Sequence, residues 1–351
     1  MSAGLENQTS PEVLYPETLS QRRLPLNLKR ENLPLFDNEL QRVIPQTTLL
    51  EFCDVRVSPE GILFKGGKML PQSFAFQANF KRWKLRSRMK FFVNNYLLNK
   101  TRAVERDVLW VTDDWSVGYF HWLTDVLSRL YVVRNRLDEL MLLLPQMYES
   151  IEFVHSSLSC FGVKSVKFIG PNEVLRCRRI VMPSHTAPSG HYNEEIIRGV
   201  RKVLLNKYGD SLGTKGDRIY ISRGRALKRR IANEEAVEKM LSDHGFQTIY
   251  GEDLSFQEQV KICSRAKYLV SNHGAGLTNM LFVTEGANVL ELRHQTDRIN
   301  NCYFTLSSAL NLNYFYQTCE AAQGDEDAHS ADLIVDQNTF KQNLQLLLKS
   351  T

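Results

Sequence analysis

Short apolar runs alternate with amphipathic stretches along most of this chain. Apolar runs that end in turn residues are typical of buried strands, and apolar residues three or four apart are typical of helices packed on one face. From residue 107 onward this pattern predicts strands at 107–112, 140–144, 166–169, 179–182, 218–222, 246–250, 268–270, 288–292 and 313–316. It predicts helices at 119–136, 194–208, 233–244, 256–265, 277–282, 301–310 and 337–348. This alternation indicates parallel sheets covered by helices.

The loop PSHTAPSG at residues 183–190 divides the alternation into two series. A chain of 351 residues, 43% of them hydrophobic, can supply two cores. We therefore predict an α/β fold with two domains, 51–190 and 191–351. Residues 1–50 are rich in Pro, Asn, Gln and Glu, and we predict an extended N-terminal arm there. Within residues 51–64, two short strands flank a turn and predict a hairpin.

The segment KRWKLRSRMK, residues 81–90, carries six basic residues in ten, with apolar residues between them. The alternation predicts a strand with one basic face. A basic face of this kind suits acidic lipid headgroups or a charged acceptor. A solvated strand face is the blander interpretation, and it is the commoner fate of a run of charges.

Charge and cysteine usage exclude several classes of protein. Lys and Arg number 44 against 39 Asp and Glu, a net charge of +5 that suits an anionic ligand without requiring nucleic acid. Six scattered cysteines without a CxxC pair favour reduced thiols over a disulfide or zinc framework. No apolar run resembles a signal peptide or a membrane span. We expect a cytoplasmic protein, with peripheral contact at the inner membrane face left open.

The strongest local pattern is YLVSNHGAGLTNMLF, which predicts a strand, a glycine-rich turn and a helix from Leu277. Ligands of open α/β sheets bind at the carboxyl ends of strands, where a helix start presents its free N–H groups to an anion. Gly274 and Gly276, on either side of Ala275, let backbone amides approach a phosphate, and His273 can donate to one. A tight strand-to-helix turn with a capping histidine is the alternative interpretation.

A basic loop follows the predicted strand 218–222. The segment RIYISRGRALKRR places six cations in thirteen residues without an acid. Because the loop leaves the same edge of the predicted sheet as His273, we predict that Arg223 and Arg230 contact a diphosphate through their planar guanidinium groups. A solvated basic loop is the alternative.

Glu291 stands near the end of the next predicted strand, 288–292. An acid in that position can accept hydrogen bonds from both ribose hydroxyls of a bound nucleotide. An ion pair with Arg293 or a neighbour is an equally good interpretation.

His121 and Asp125 lie four residues apart in a predicted helix, hence on one face. A carboxylate beside an imidazole fixes its tautomer and raises its basicity, so either residue can serve as a general base. A buried polar pair that ties helix to sheet is the alternative. No third metal ligand is evident, and the Asp-x-Asp at residues 325–327 has the composition of a solvated turn, so we predict no metal ion.

Three of these segments, HWLTD at 121–125, RIYISRGRALKRRIANE at 218–234, and SNHGAGLTNMLF with GANVLEL at 271–292, resemble the family-61 glycosyltransferases. The resemblance covers about residues 107–316 and implies a GT-B architecture, in which two Rossmann-like domains face each other across a cleft. It also implies a last helix that can cross back to the first domain. By position it implies that residues 273–277 and the arginine loop hold the diphosphate, Glu291 the ribose, and His121 with Asp125 the acceptor.

The implied activity is inverting, metal-independent transfer of a sugar from a nucleotide sugar, UDP-sugar by default, to a hydroxyl of a glycan or lipid-linked glycan. We expect no resident cofactor and no nucleic-acid partner. A member without a membrane anchor suggests a bacterial-type enzyme of surface polysaccharide synthesis, in capsule, lipopolysaccharide or exopolysaccharide. The alternative is a non-catalytic α/β protein that binds a nucleotide or polyanion; hydrolysis is a further option.

Overall fold

The structure, a computed structural model, describes residues 11–81, 83–210, 217–324 and 327–350. They form two compact units. The first unit comprises residues 11–18 and 45–189, and the second comprises residues 19–44 and 190–350. Compactness alone does not test whether either unit folds independently, so the predicted domains 1–50, 51–190 and 191–351 stay predictions.

The strands are numbered in chain order. They are β1 Glu12–Tyr15, β2 Thr18–Gln21, β3 Gln41–Ile44, β4 Thr47–Val57, β5 Leu63–Lys65, β6 Lys68–Met69, β7 Lys100–Val104, β8 Val108–Leu109, β9 Met141–Pro145, β10 Val166–Ile169, β11 Glu173–Pro183, β12 Arg218–Ser222, β13 Gln247–Tyr250, β14 Tyr268–Asn272, β15 Asn288–His294, β16 Asn313–Ala321 and β17 Leu333–Ile334.

The α-helices are α1 Gln77–Lys81, α2 Leu85–Val93, α3 Tyr119–His121, α4 Leu127–Val132, α5 Glu152–Cys160, α6 Glu194–Tyr208, α7 Glu234–Asp243, α8 Phe256–Cys263, α9 Cys302–Ala309 and α10 Gln337–Lys349. A π-helical turn, Trp122–Val126, joins α3 to α4, and another, Asn94–Leu98, follows α2. Short 3-10 helices occupy Arg30–Leu35, Asp37–Glu39, Pro71–Ser73, Arg134–Arg136, Gln146–Tyr148, Gly251–Asp253 and Ala275–Leu281.

The first unit is built on a mixed sheet whose main order is β10-β9-β8-β11-β4-β5-β6. The pairs β10–β9, β9–β8 and β8–β11 are parallel, whereas β4 runs antiparallel to β11. Val57 of β4 pairs with Leu63 of β5, which confirms the predicted hairpin. Because β8 and β11 are parallel, the segments that follow them leave the same edge of the sheet.

The second unit is built on a sheet of order β13-β12-β14-β15-β16-β17. All pairs except the antiparallel β16–β17 are parallel. The chain passes from β12 outward to β13 and then returns to β14 on the other side of β12. Such a reversal leaves a crevice at the carboxyl ends of the two neighbouring strands, where ligands of open α/β sheets bind. This switch point lies between Ser222 of β12 and Asn272 of β14.

The final helix, α10, belongs to the second unit. Its apolar positions Phe340, Leu344 and Leu347 are fully buried in one core with Leu290 and Phe315 of the sheet. The apolar face of the helix therefore packs on the sheet of its own unit. That the helix can also cross back to the first domain stays a prediction.

The second unit also holds residues 19–44, most of the predicted arm. Phe36 is fully buried between Phe304 and Tyr316, with ring centroids 4.9 and 5.0 Å away. Asn27 donates to the backbone oxygen of Tyr316 at 2.7 Å. Apolar residues between prolines thus serve as packing residues even where no long regular element forms.

The predicted strand over residues 81–90 is wrong, because most of this segment is helical. Lys, Arg, Leu and Met all favour helices, and Leu85 and Met89 also fit a helical spacing of four. Elsewhere the predicted order of strands and helices is confirmed, as is the α/β class. Two predicted helices differ in kind: a 3-10 helix replaces 277–282, and a π-helical turn interrupts 119–136. All six cysteines are unpaired. No helix among the described residues is both long and apolar enough to cross a membrane.

Candidate functional site

The crevice at the switch point of the second unit brings two predicted segments together. The loop after β12 begins with Arg223, and the turn after β14 begins with His273. Ser271 donates to the backbone oxygen of Ile221 at 2.8 Å, which ties the two strand ends to each other. The turn continues into a 3-10 helix from Ala275 to Leu281 instead of the predicted α-helix from Leu277. The dipole of so short a helix is weak, so side chains carry more of any anion binding.

Gly274 is needed because the guanidinium of Arg223 lies against its backbone. A Cβ built on Gly274 would come within 2.4 Å of Nη1 of Arg223. A Cβ on Gly276 would meet Cγ2 of Ile221 at 3.0 Å, so the second glycine allows the turn to pack on β12. Tyr303 holds the turn from outside by donating to the backbone oxygen of Gly274 at 2.6 Å. The two glycines of HGAG therefore let the Arg223 guanidinium and strand β12 pack against the turn, whether or not a ligand is bound.

Two arginines of this edge lack a counter-charge. Within the described ranges, no carboxylate lies within 4.0 Å of the guanidinium of Arg223 or Arg229. The Nε atoms of both are buried without a hydrogen-bond partner there, and so is Oδ1 of Asn272. Burial lowers the pKa of Arg223, and the nearby charge of Arg229 lowers it further. Nη2 of Arg223 donates to the backbone oxygen of Lys228 at 3.3 Å, but neither half-buried guanidinium has a counter-charge. Because a partly desolvated cation without a counter-charge is costly, the site suits an anion.

The other arginines of the loop are already neutralised. Arg225 forms a short ion pair with Asp253, and Arg230 makes an ion pair of 3.0 Å with Asp332. The phosphate contact of Arg223 stays a prediction, and no carboxylate competes for its guanidinium among the described residues. A phosphate contact by Arg230 stays a prediction, and it would compete with Asp332. Sequence reasoning passed over Arg229, because six cations in one loop give no indication of which ones meet carboxylates.

His273 belongs to a buried hydrogen-bonded chain. Its Nδ1 lies 2.5 Å from Oε1 of Glu291, and its Nε2 lies 3.0 Å from Nδ2 of Asn300. The other oxygen of Glu291 accepts a short hydrogen bond from Tyr314. Burial alone would raise the pKa of Glu291, but the positive charges of His273 and Arg293 and the hydrogen bonds of the carboxylate lower it overall.

This geometry bears on the role predicted for Glu291. Both of its carboxylate oxygens are engaged, and the side chain is fully buried. The residue therefore orients His273. Its contact with a ribose stays a prediction. The alternative, an ion pair with Arg293 or a neighbour, is confirmed for a neighbour: Glu291 lies within ion-pair distance of His273, and not of Arg293.

In the first unit, His121 and Asp125 meet as predicted from their spacing. Nδ1 of His121 lies 2.9 Å from Oδ2 of Asp125. Ser189 bridges them, with its Oγ 2.8 Å from Oδ2 of Asp125 and 3.1 Å from Nδ1 of His121. Oγ1 of Thr124 lies 3.1 Å from the second oxygen of Asp125 and 2.8 Å from the backbone oxygen of Phe120, so its one proton is shared between them. Each oxygen of Asp125 thus has a hydroxyl beside it, whereas Nε2 of His121 has no hydrogen-bond partner in the described part of the chain.

A second acid–imidazole pair lies at the same edge. Asp113 follows β8, His185 follows β11, and Oδ2 of the acid is 2.8 Å from Nε2 of the imidazole. Burial would raise the pKa of Asp113, but the hydrogen bond and charge of His185 and the charge of Arg129 lower it to about 2. Arg129 is fully buried and donates to the backbone oxygens of Val111 and Pro183. Its burial lowers its own pKa to about 10.

Sequence reasoning missed this pair because it took residues 183–190 only as the loop that divides the two series. The available signal was positional: Asp113 and His185 each follow a strand of one parallel sheet. Among the described residues, no three His, Cys, Asp or Glu side chains gather as metal ligands. Asp325 and Glu326 lie outside the described residues, so the solvated turn predicted there stays a prediction.

A comparison with models of known protein families gives one match. Residues 119–290 match the family model described as Glycosyltransferase 61, a segment that contains His121, Asp125, Arg223 and His273. Over this segment the chain belongs to glycosyltransferase family 61. The resemblance seen in the three sequence motifs is therefore confirmed.

One curated relative extends this comparison. The chain is 37% identical over 101 residues to the protein O-linked-mannose beta-1,4-N-acetylglucosaminyltransferase 2 of Xenopus laevis. The alignment covers 27% of this chain and spans only 17% of the length of that relative.

Proposed function

We propose that this family-61 member is a glycosyltransferase that takes its sugar from a nucleoside diphosphate sugar. The observation that carries the proposal is the pair of unpaired guanidinium groups, Arg223 and Arg229, beside His273 at the switch point of a parallel sheet. Arginine forks bind two phosphate oxygens at once. Positive groups already in place can stabilise the charge that grows on a leaving diphosphate. Because these side chains can supply that charge, the proposed transfer requires no metal ion.

The proposed acceptor side lies on α3 and the π-helical turn after it. The acceptor hydroxyl gives its proton to Nε2 of His121, whose Nδ1 is held by Asp125. The hydroxyl oxygen forms a bond to the anomeric carbon as the bond from that carbon to the diphosphate oxygen breaks. Attack from the face opposite the leaving group inverts the anomeric configuration. The occupied oxygens of Asp125 favour His121 as the base and Asp125 as the group that orients it.

The arrangement of the two sites is part of the proposal. Transfer requires acceptor and donor to meet, and the GT-B arrangement of two Rossmann-like domains across a cleft would achieve this. A crystal structure with a donor analogue bound would test that arrangement. The cytoplasmic location and a role in surface polysaccharide synthesis are expectations carried from the sequence resemblance.

Donor binding is the first experiment. The name of the Xenopus relative points to N-acetylglucosamine, so UDP-GlcNAc and UDP are measured first, against GDP and CMP, with and without EDTA. At about 100 times its dissociation constant, a bound nucleotide stabilises the fold by roughly 2.7 kcal/mol, an effect visible as a thermal shift. We expect one nucleoside diphosphate to give a shift that survives EDTA.

Transfer is then assayed with glycan acceptors, including a mannose-terminated one, and NMR of the product gives its anomeric configuration. Retention of configuration would contradict direct displacement. Nucleotide binding without transfer to any acceptor would favour the non-catalytic alternative, and release of free sugar would favour hydrolysis. Absence of any nucleotide-dependent shift would contradict the donor site itself.

A further inference from the structure

Helix α2 and the π-helical turn after it present an apolar surface that the proposed transfer does not use. Leu85, Met89, Val93 and Leu97 recur at every fourth position and so lie along one side of the helix. The exposed fractions are 74% for Leu85, 61% for Met89, 47% for Val93, 77% for Leu97 and 71% for Leu98. We call these five residues, together with Lys84, Arg86 and Lys90, the 85–98 face.

The opposite side of this helix is firmly packed. Phe91 lies between Phe64 and Trp83, with ring centroids 5.3 and 5.8 Å away. Asn95 is fully buried and donates to the backbone oxygen of Phe91 at 2.9 Å. The helix therefore has a core-facing side of its own. The exposed apolar side chains are a second, outward surface, which is unusual for a helix in contact with water alone.

The charge around this surface has one sign. Residues 61–104 contain ten Lys and Arg and no Asp or Glu. Lys84, Arg86 and Lys90 are exposed, and none of them makes an ion pair with a carboxylate in the described part of the chain. Two such surfaces would repel each other, so a second copy of this chain is a poor occupant. A continuous surface that is both negative and apolar matches the face better.

We propose that the 85–98 face docks on an anionic lipid bilayer. The leucine, methionine and valine side chains enter the boundary between headgroups and acyl chains, while the basic side chains contact lipid phosphates. Amphipathic helices with large apolar residues and flanking Lys and Arg bind membranes in this way, lying in the plane of the interface. The contact is peripheral, made by one face of a packed helix, and it does not depend on the proposed donor or acceptor chemistry.

Vesicle flotation of the full chain tests the proposal. Vesicles of phosphatidylcholine alone are compared with vesicles that contain about 30 mol% phosphatidylserine. We expect the protein to float with the anionic vesicles and to stay behind with the neutral ones. Raising the salt from about 0.1 M to about 1 M shortens the screening length from about 10 to about 3 Å and should release much of the bound protein.

Two variants test the basic and the apolar residues of the 85–98 face separately. Arg86→Glu/Lys90→Glu removes two positive charges, each worth about fivefold in affinity near an anionic surface, so binding should fall by about 25-fold or more. Leu85→Ser/Met89→Ser/Leu97→Ser should also release the protein, including at low salt. Lys341→Glu/Leu346→Ser changes exposed residues of α10 in the same chemical way and serves as the matched control.

Each outcome decides the proposal. All variants should keep the melting temperature of the unchanged protein, because the altered side chains are exposed. Equal flotation of all variants, or no flotation with anionic vesicles at low salt, would overturn the membrane assignment. A shift to a dimer that the triple serine variant abolishes, without vesicle binding, would reassign the face to contact between copies of the chain.

Discussion

The two polar sites occupy similar places in their sheets but differ in how charge is balanced. In the second unit, Arg223 and Arg229 lie at the carboxyl ends of parallel strands without carboxylate partners in the described part of the chain. In the first unit, Asp113 and Asp125 at such an edge are each paired with an imidazole. The difference fits the proposed division of work, in which the unbalanced edge binds the diphosphate and the balanced acid–imidazole edge moves or holds a proton.

Removing the proposed base, His121, should have the largest effect on the rate of transfer. A small effect would contradict the proposed difference between the two edges. His121→Ala is expected to lower the rate of transfer about 100- to 10,000-fold, the usual contribution of a general base. UDP-sugar affinity, measured by calorimetry, should stay the same. His155→Ala removes an exposed histidine of the same unit and should leave the rate unchanged.

Asp125→Asn tests which residue of the pair, His121 or Asp125, is the base. The amide keeps the shape of the side chain but no longer stabilises an imidazolium, so we expect a lower rate and a shifted pH profile. An active His121→Ala variant together with an inactive Asp125→Asn variant would make Asp125 the base and reverse the proposed roles.

The second-largest effect should come from removing the charge of Arg223, which has no carboxylate partner at the proposed donor edge. Arg223→Gln should weaken nucleotide binding by about 10- to 100-fold, since a charge-assisted hydrogen bond contributes roughly 1.5–3 kcal/mol. Arg225→Gln, in the same loop but paired with Asp253, is the matched control and should change affinity less than about threefold. Equal losses in the two variants would mean that only the total charge of the loop matters.

The pair of Asp113 and His185 should contribute to the free energy of unfolding in a pH-dependent way. Asp113 has a lowered folded-state pKa of about 2 against an ordinary 3.8, so its stabilising effect is full above about pH 4 and is lost as the pH falls toward 2. Asp113→Asn should therefore cost about 2 kcal/mol at pH 7 and less at about pH 3. Urea unfolding at both pH values measures this. Asp138→Asn, an exposed carboxylate, should change stability by less than about 0.5 kcal/mol.

The smallest expected effect concerns the contact between Arg223 and Gly274. Gly274→Ala adds a Cβ that collides with the guanidinium, which should move away and weaken nucleotide binding by several-fold. The same substitution made in Arg223→Gln should cause less additional loss, because the group with which it collides is gone. Full additivity of the two changes would show that the glycine acts independently of the arginine.

Much of the architecture could be predicted because it depends on local pattern. The strands 166–169 and 218–222 and the helix 194–208 were predicted with the bounds that the structure shows, since each has a clear period and ends at turn residues. The pairing of His121 with Asp125 also followed from helical spacing alone. The segment 81–90 was assigned wrongly because its basic and apolar residues fit both the alternation of a strand and the spacing of a helix. Packing of Phe91 against Phe64 in the folded protein decides for the helix.

What only the tertiary structure decided is which charged groups find partners. Six cations in one loop look alike in sequence, yet Asp253 and Asp332 neutralise two of them from distant positions and leave Arg223 and Arg229 without a carboxylate partner among the described residues. Asp113 and His185 are 72 residues apart and meet only because β8 and β11 pair in parallel. Local pattern determines elements through short-range sterics and burial, whereas charge balance depends on long-range contacts that the sheet order creates.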